Sequence, residues 1–180
     1  HGDGGLAFFN GSNNSDPKII NTLLSKSGVK TRAILNATHT GYQRLYAGKT
    51  TVLIDTGPPP SVTENQWAHF GTLAFEMSSG KDRIIVNCGM PDNPSTGWQQ
   101  ALRATAAHST IAVDNINSTE INPTKDFVHK LGQVTSSRRE IDGSTIIEAS
   151  YDGYNKPFGL IHRRLIMLAP DGSEIQGEDN

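Results

Sequence analysis

Turn residues divide this chain into short apolar runs, and that division limits its fold more than any other feature of the sequence. Glycine occurs 18 times and proline 9 times in 180 residues, which favours short strands over long helices. Asp142-Gly143 separates two such runs, 131–140 and 144–151, and Asp-Gly is a favoured two-residue connection between antiparallel strands. The pattern predicts an all-β fold, an antiparallel β-sandwich built largely from hairpins.

The same pattern predicts strands elsewhere in the chain. Three other turns each separate two apolar runs: 48–49 separates 42–47 from 50–55, 79–82 separates 67–77 from 83–89, and 170–172 separates 160–168 from 174–178. Shorter apolar runs at 4–9 and 110–114 are predicted to be further strands. Residues 103–110 are expected to form a third segment beside the central hairpin.

One segment near the N-terminus has the features of a helix instead. Asp16-Pro17 is typical of an N-cap followed by proline at the first helical position, and Gly28 is a typical stop. Apolar pairs at 19–20 and 23–24 recur with the spacing of one helix face. The sequence therefore predicts one short N-terminal helix.

Composition and charge exclude several classes of function. The 16 basic and 18 acidic residues give a net charge of -2 without long runs of one sign, so the sequence has no electrostatic footprint for nucleic acid. No apolar run approaches the roughly 20 residues that a membrane span needs. Cys88 is the single cysteine, which excludes an intrachain disulfide framework. Because the chain begins at His1, it is expected to be a piece of a longer polypeptide.

Two histidines and an amide are candidate metal ligands. His69 and His108 meet if the chain folds back at the turn between them, and neutral imidazole is the commonest nitrogen ligand of zinc. Asn87 is the candidate for a third, oxygen ligand. Strand alternation places Asn87 and Cys88 on opposite faces, which predicts that both cannot point into one site. The alternative is that these histidines only satisfy local hydrogen bonds at a sheet edge.

Other side chains could contact a sugar polymer. Arg103 belongs to a set of arginines that could line a groove for carboxylates or sulfates, which guanidinium binds in a bidentate manner. Trp67 and Tyr154 could stack on sugar rings. The alternatives are ordinary ion pairs on solvated strands and aromatic packing in the core. The sequence has no Ser-His-acid order and no phosphate-binding loop.

Several motifs carry a resemblance to a known family. They are Trp-Ala-His-Phe-Gly-Thr-Leu-Ala-Phe-Glu at 67–76, Ile-Val-Asn-Cys-Gly at 85–89, Arg-Ala-Thr-Ala-Ala-His-Ser-Thr at 103–110, Tyr-Asp-Gly-Tyr at 151–154 and Ile-His-Arg-Arg at 161–164. In order and spacing they resemble the C-terminal domain of the heparinase II/III-like family. The resemblance covers residues 41–180 and implies a supersandwich-like β-domain that follows an α/α toroid domain. Residues 1–40, with the short helix, would then form the junction.

The family resemblance also implies a chemistry. Lyases of this family cleave uronic-acid polymers such as heparan or alginate by β-elimination, and their sandwich binds zinc at positions that match His69, Asn87 and His108. Asn87 stands where the family has an aspartate, which weakens the expected zinc site. Trp67 stands where the family has a catalytic histidine, and Gly71 stands where an aspartate often follows. The catalytic residues of this chain are therefore unknown from its sequence.

Two functions follow as hypotheses. The first is the β-sheet domain of a polysaccharide lyase. This domain is expected to be inactive without the α/α toroid domain and to be located in the periplasm or outside the cell. The second is a carbohydrate-binding or assembly module that has lost elimination chemistry, as the residues at Trp67 and Asn87 indicate. A different reaction on an exported polysaccharide is a third possibility.

Overall fold

The computed structural model describes residues 1–29, 32–59, 68–119 and 132–180. It confirms the predicted antiparallel all-β fold. The strands form two sheets, and within each sheet every pair of neighbouring strands is antiparallel. The first sheet contains β1 (Asn36–Ala37), β2 (Tyr42–Ala47), β3 (Thr50–Asp55), β4 (Phe75–Ser79) and β5 (Asp82–Ile85) in that order. The second contains β6 (Val134–Ile141), β7 (Ser144–Tyr151), β8 (His162–Leu168) and β9 (Ile175–Asp179).

A dry core joins the two sheets. It is formed by side chains that are at most 2% exposed, three from the first sheet and three from the second: Leu45, Val52, Ile54, Ile147, Ile166 and Leu168. A smaller cluster contains Leu73, Ala149 and Tyr151. The inward residues alternate along β2 and β8, as expected when one face of each sheet is buried.

The strongest local signals in the sequence are confirmed. The helix α1 spans Pro17–Ser27, with the Asp16 side chain accepting from Lys18 N and with Gly28 in the left-handed region. Gly48-Lys49 and Asp142-Gly143 connect their strands as predicted. Asp142 and Gly143 both have positive φ, 49° and 80°, which is the conformation of the favoured hairpin turn. Leu131, which begins one predicted run, lies outside the described residues.

Other strand predictions are wrong, and the chain forms loops or helices there. Residues 4–9, all in the described part of the chain, form no strand, and residues 110–114 contribute one isolated bridge, Val113 to Ile116. The central run becomes a strand only at Phe75, because Leu73 has a φ of 62° that interrupts a ladder. Its partner strand, β5, ends at Ile85.

The predicted third segment, 103–110, forms no strand: it begins at the last residue of a helix and contains one 3₁₀ turn. Helix α2 spans Thr96–Arg103, and a 3₁₀ turn follows at Thr105–Ala107. A further short helix, α3, spans Asn155–Phe158 and was not predicted. None of the helices in the described ranges combines the length and the apolar character that crossing a bilayer requires.

Arg164 on β8 connects the second sheet to two loops beside the first. Its Nε and Nη2 atoms donate to the two carboxylate oxygens of Asp179 at 2.7 and 2.8 Å. Its Nη1 atom donates to the backbone carbonyls of Leu73 and Ser109, both at 2.6 Å. Arg164 is only 6% exposed, whereas its neighbour Arg163 faces solvent.

We expect Arg164→Met to lower the free energy of unfolding by about 2 to 4 kcal/mol, because two buried carbonyls and a carboxylate lose their donors. Arg163→Met is the matched control and should change it by no more than about 0.5 kcal/mol. Urea unfolding followed by circular dichroism measures both. Equal effects of the two substitutions would contradict the role assigned to Arg164.

Candidate metal centre

Two loops bring the candidate histidines together. His69 lies on the loop before β4, and His108 follows the 3₁₀ turn. Side chains fasten the loops to each other: Thr110 Oγ1 donates to Thr72 O at 2.8 Å, and Thr105 Oγ1 donates to Phe70 O at 2.9 Å. These bonds satisfy the carbonyls of an irregular backbone. The imidazole centroids consequently lie 5.1 Å apart.

Three imidazole nitrogens in this cluster are buried without a hydrogen-bond partner. They are both ring nitrogens of His69 and Nε2 of His108. Burial lowers the pKa of His69 to about 4, with smaller contributions from His108 and Arg103. Burial also lowers the pKa of His108 to about 4, although the Leu102 carbonyl and Glu76 oppose it. Both rings are therefore neutral at pH 7 and have lone pairs for a metal.

Asn87 fixes the tautomer of His108. The Asn87 Nδ2 atom donates to Glu76 Oε1 at 3.1 Å, so its Oδ1 atom is the one that lies 2.9 Å from His108 Nδ1. Because an amide oxygen only accepts, the proton is on Nδ1 and the lone pair is on Nε2. Asn87 is 2% exposed and has this hydrogen-bonding role in the structure. Its predicted role as a metal ligand stays a prediction.

Cys88 also belongs to the cluster. One ligand atom each from His69, Cys88 and His108 lie within 4.8 Å of one another. The prediction that Asn87 and Cys88 cannot both reach one site is wrong, because strand alternation ends with β5 at Ile85. The loop that follows lets both side chains approach His108.

The donor set fits zinc. Zinc prefers imidazole nitrogen and thiolate sulfur, and the ligand atoms around tetrahedral zinc lie roughly 3.5 Å apart. Small side-chain rotations would bring the three atoms, now within 4.8 Å, to that separation. The unpartnered buried nitrogens are the observation that indicates a missing partner.

Two of the three residues predicted to bind substrate, Arg103 and Tyr154, lie in the described part of the chain. Arg103 ends α2, donates from Nε to Ala68 O at 2.8 Å and lies over the Phe70 ring. Tyr154 is 1% exposed, and its hydroxyl lies 3.0 Å from the Ile111 carbonyl oxygen. The Tyr154 ring is thus packed inside the domain in this structure. Trp67 lies outside the described residues. The substrate-binding roles of these residues stay predictions.

Glu76, in β4, has a buried carboxylate that was not predicted from the sequence. Glu76 is 0% exposed and accepts from His1 Nε2 at 2.5 Å and Phe8 N at 2.7 Å, as well as from the backbone and side chain of Asn87. The signal in the sequence was a charge inside an apolar run, since an acidic residue is rarely buried without partners.

A second carboxylate, that of Asp55, is connected to His69 through the hydrogen bonds of Asn10. Burial raises the pKa of Asp55 to about 7, against hydrogen bonds from Gly57 N and Asn10. Asn10 accepts from His69 N at 3.3 Å and donates to Tyr42 Oη at 2.8 Å. Perturbed carboxyl groups of this kind are frequent at functional sites. Asp55 ends a predicted strand, and its sequence context gave no signal of the shift.

Comparison with known families decides the classification. The family described as Heparinase II/III-like, C-terminal, matches residues 29–180. The chain belongs to the heparinase II/III-like family. The resemblance seen in the sequence is thereby confirmed, and the domain is related to polysaccharide lyases. The predicted boundary between residues 1–40 and 41–180 stays a prediction.

Individual relatives of this heparinase II/III-like domain are much longer than the chain. FtsZ-localized protein C of Caulobacter vibrioides (strain NA1000 / CB15N) is 30% identical over 188 residues, which cover 99% of this chain and 32% of that protein. A solved heparinase III gene product is 14% identical with a TM-score of 0.69, over 99% of this chain and 30% of that one. Heparan sulfate lyase HepC from Pedobacter heparinus is 14% identical with a TM-score of 0.65, over 95% and 29%. The structural similarities show the shared fold.

The raised pKa of Asp55 predicts a pH dependence of stability in this heparinase II/III-like domain. An unfolded aspartate ionises near pH 4 and the folded Asp55 near pH 7, so the folded state binds more protons between these values. Asp55 therefore lowers the free energy of unfolding as pH rises through this range. Asp55→Asn removes this contribution. The free energy of unfolding of the variant minus that of wild type should therefore increase by about 2 to 4 kcal/mol between pH 4 and pH 8.

Urea unfolding at several pH values measures this difference. Asp82→Asn, which changes an exposed aspartate at the start of β5, is the matched control. A difference between Asp55→Asn and wild type that stays constant with pH would show that Asp55 titrates alike in both states.

Proposed function

We propose that this domain is the β-sheet part of a larger protein that acts on uronic-acid polysaccharide by β-elimination, and that zinc between His69 and His108 organises its side of the substrate cleft. The observation that carries the proposal is the cluster of buried, unpartnered imidazole nitrogens at the positions where the family resemblance implies a metal. Bound zinc would act as a Lewis acid or hold the loops in place. The two imidazoles would hold it in their neutral form.

We propose that the domain by itself would offer an incomplete set of groups for β-elimination, judged from the residues that the structure describes. That reaction needs a base next to the uronate carboxylate, a group that neutralises the developing charge and an acid for the leaving oxygen. Imidazoles that bind metal are not available as proton donors. Trp67, at the position of the family's catalytic histidine, cannot transfer a proton at neutral pH. We therefore propose that the isolated domain has no lyase activity.

The remaining groups would come from an α/α toroid domain of the same protein. The relatives support this arrangement, since the chain spans only 28–32% of their length. The helix α1 also supports it, because Ile19, Leu23 and Leu24 on its apolar face are 60–64% exposed. An apolar face of this kind is suited to packing against another domain.

An acidic polymer is the substrate class that we propose. The printed names of two structural neighbours, heparinase III and heparan sulfate lyase, support it. Arg103 beside His69 supplies a guanidinium for carboxylate or sulfate groups, and Trp67 an aromatic surface for sugar rings. Heparan-like and alginate-like chains are the candidates. Because polymers of this type occur in the periplasm or outside the cell, we propose that the protein acts there.

A non-catalytic assembly or carbohydrate-binding module is the second candidate. A specific observation favours it: the chain is 30% identical to FtsZ-localized protein C along 99% of its length, compared with 14% for the lyases. Asn87 in place of the zinc aspartate and Trp67 in place of the catalytic histidine agree with a loss of elimination chemistry. The module would then bind a polymer or a partner protein without cleaving it.

Assays of the full-length protein separate the two candidates. Ultraviolet absorbance of unsaturated uronate would report cleavage of heparan sulfate or alginate, and turnover is the result expected for the lyase. Saturable binding without cleavage, or co-sedimentation with FtsZ polymers, would support the module instead. Sustained cleavage by the isolated domain would contradict the proposal that it is inactive alone.

The metal content of the purified chain tests the zinc proposal directly. Plasma mass spectrometry should find about one zinc per chain in the wild type, and His69→Ala and His108→Ala should both lose it because each removes a ligand. His39→Ala, which changes an exposed histidine, is the matched control and should retain the metal. A folded wild-type chain without zinc would overturn this part of the proposal.

A further inference from the structure

We propose that Cys88 supplies the third zinc ligand, so that two imidazoles and a thiolate hold the metal while Asn87 positions His108 without binding it. The inference rests on the zinc proposed above and changes its predicted ligand set. It replaces the hard oxygen ligand that the family resemblance implies with a soft sulfur ligand.

The hydrogen bonds of Asn87 argue against its binding the metal. Its Oδ1 atom faces His108 Nδ1 at 2.9 Å, and its Nδ2 atom faces Glu76 Oε1 at 3.1 Å. Rotating the amide toward a metal would leave the Nδ1 proton of His108 and one oxygen of the fully buried Glu76 with fewer partners. A buried polar group that loses its partner destabilises the folded site. Asn87 therefore stabilises the site best as the orienting partner of His108.

Cys88 can bind the metal at a much smaller cost. Its Sγ atom makes one weak hydrogen bond, to the Leu102 carbonyl oxygen at 3.3 Å. The ligand atoms of Cys88, His69 and His108 already lie within 4.8 Å of one another. When the zinc–sulfur bond forms, the thiol S–H bond breaks and its proton goes to solvent. This step removes the hydrogen bond from the thiol to the Leu102 carbonyl oxygen.

The buried nitrogens are an independent observation that points to a metal at the same place. His69 is 3% exposed and both of its ring nitrogens lack a partner, as does Nε2 of His108. The tautomer set by Asn87 gives His108 Nε2 the lone pair that a ligand needs. Cys88 is the member of the cluster that faces outward, and it lines a cleft of about 410 Å³ together with Phe8 and Met90. The cleft gives a metal ion access to the Cys88 side of the cluster.

The ligand set makes a chemical prediction about the metal. Two imidazoles and a thiolate select zinc, and cobalt or cadmium as probes, over the oxygen-seeking ions calcium and magnesium. One negative charge from the thiolate restores the charge that an aspartate would have supplied. The two imidazoles and the thiolate together thus carry one negative charge, although residue 87 is neutral.

Cobalt(II) titration of the 180-residue chain tests the inference. Cys88 is the single cysteine in the sequence, so a thiolate-to-cobalt charge-transfer band in the near ultraviolet can come from no other residue. We expect the band in the wild type and its loss in Cys88→Ser, together with at least about a tenfold weaker affinity for cobalt. Asn87→Ala should keep the band and bind about 10- to 100-fold more weakly, as for loss of an outer partner.

Alkylation of Cys88 by iodoacetamide gives a second readout. Zinc should slow alkylation in the wild type and in His39→Ala, and the protection should disappear in His69→Ala. Circular dichroism verifies that each variant is folded. Stoichiometric cobalt binding without the band, lost in Asn87→Ala and kept in Cys88→Ser, would overturn the role of Cys88 and leave the proposed zinc in place. No metal binding by the folded wild type would overturn both.

Discussion

The buried carboxylate of Glu76 is the constraint on which the arrangement of the candidate site depends. A carboxylate without solvent is tolerated only when donors surround it. Glu76 receives them from three parts of the chain: the His1 ring, the Phe8 backbone, and both the backbone and the amide of Asn87. Satisfying this one group therefore fixes the N-terminal segment against β4 and holds the loop after β5 close to His108.

Arg164 orders the same region from the other sheet. Its guanidinium pairs with Asp179 and donates to the Leu73 and Ser109 carbonyls. Leu73 has a φ of 62°, a conformation that costs about 1 kcal/mol or more for a residue with a side chain. Tertiary hydrogen bonds offset that cost. The loops of the two histidines thus lie between two buried charges, each of which is satisfied partly by side chains and partly by irregular backbone.

This dependence explains which features the sequence could predict. The helix α1 and the hairpin at Asp142-Gly143 follow from residues adjacent in sequence, a cap in one case and a turn dipeptide in the other. His69 and His108 were candidates from their residue type and from the chain reversal between them, and their rings do come together. The loop between His69 and Phe75 could not be predicted, since its shape depends on Arg164, distant in sequence. The alternation of side chains expected along the strand fails at Cys88 for the same reason. The backbone and side chain of Asn87 both donate to Glu76, and these hydrogen bonds end the strand pattern before Cys88.

The amide at position 87 is coupled to Glu76. An aspartate there would put a second carboxylate about 3 Å from Glu76 Oε1, where Asn87 Nδ2 now donates, and like charges at that distance repel. With Glu76 buried, the amide is the better neighbour, because it donates to Glu76 and accepts from His108 at once. A metal at the histidines then lacks an anionic ligand at residue 87. In the proposed ligand set, the thiolate of Cys88, the next residue, would supply the negative charge that the neutral amide does not.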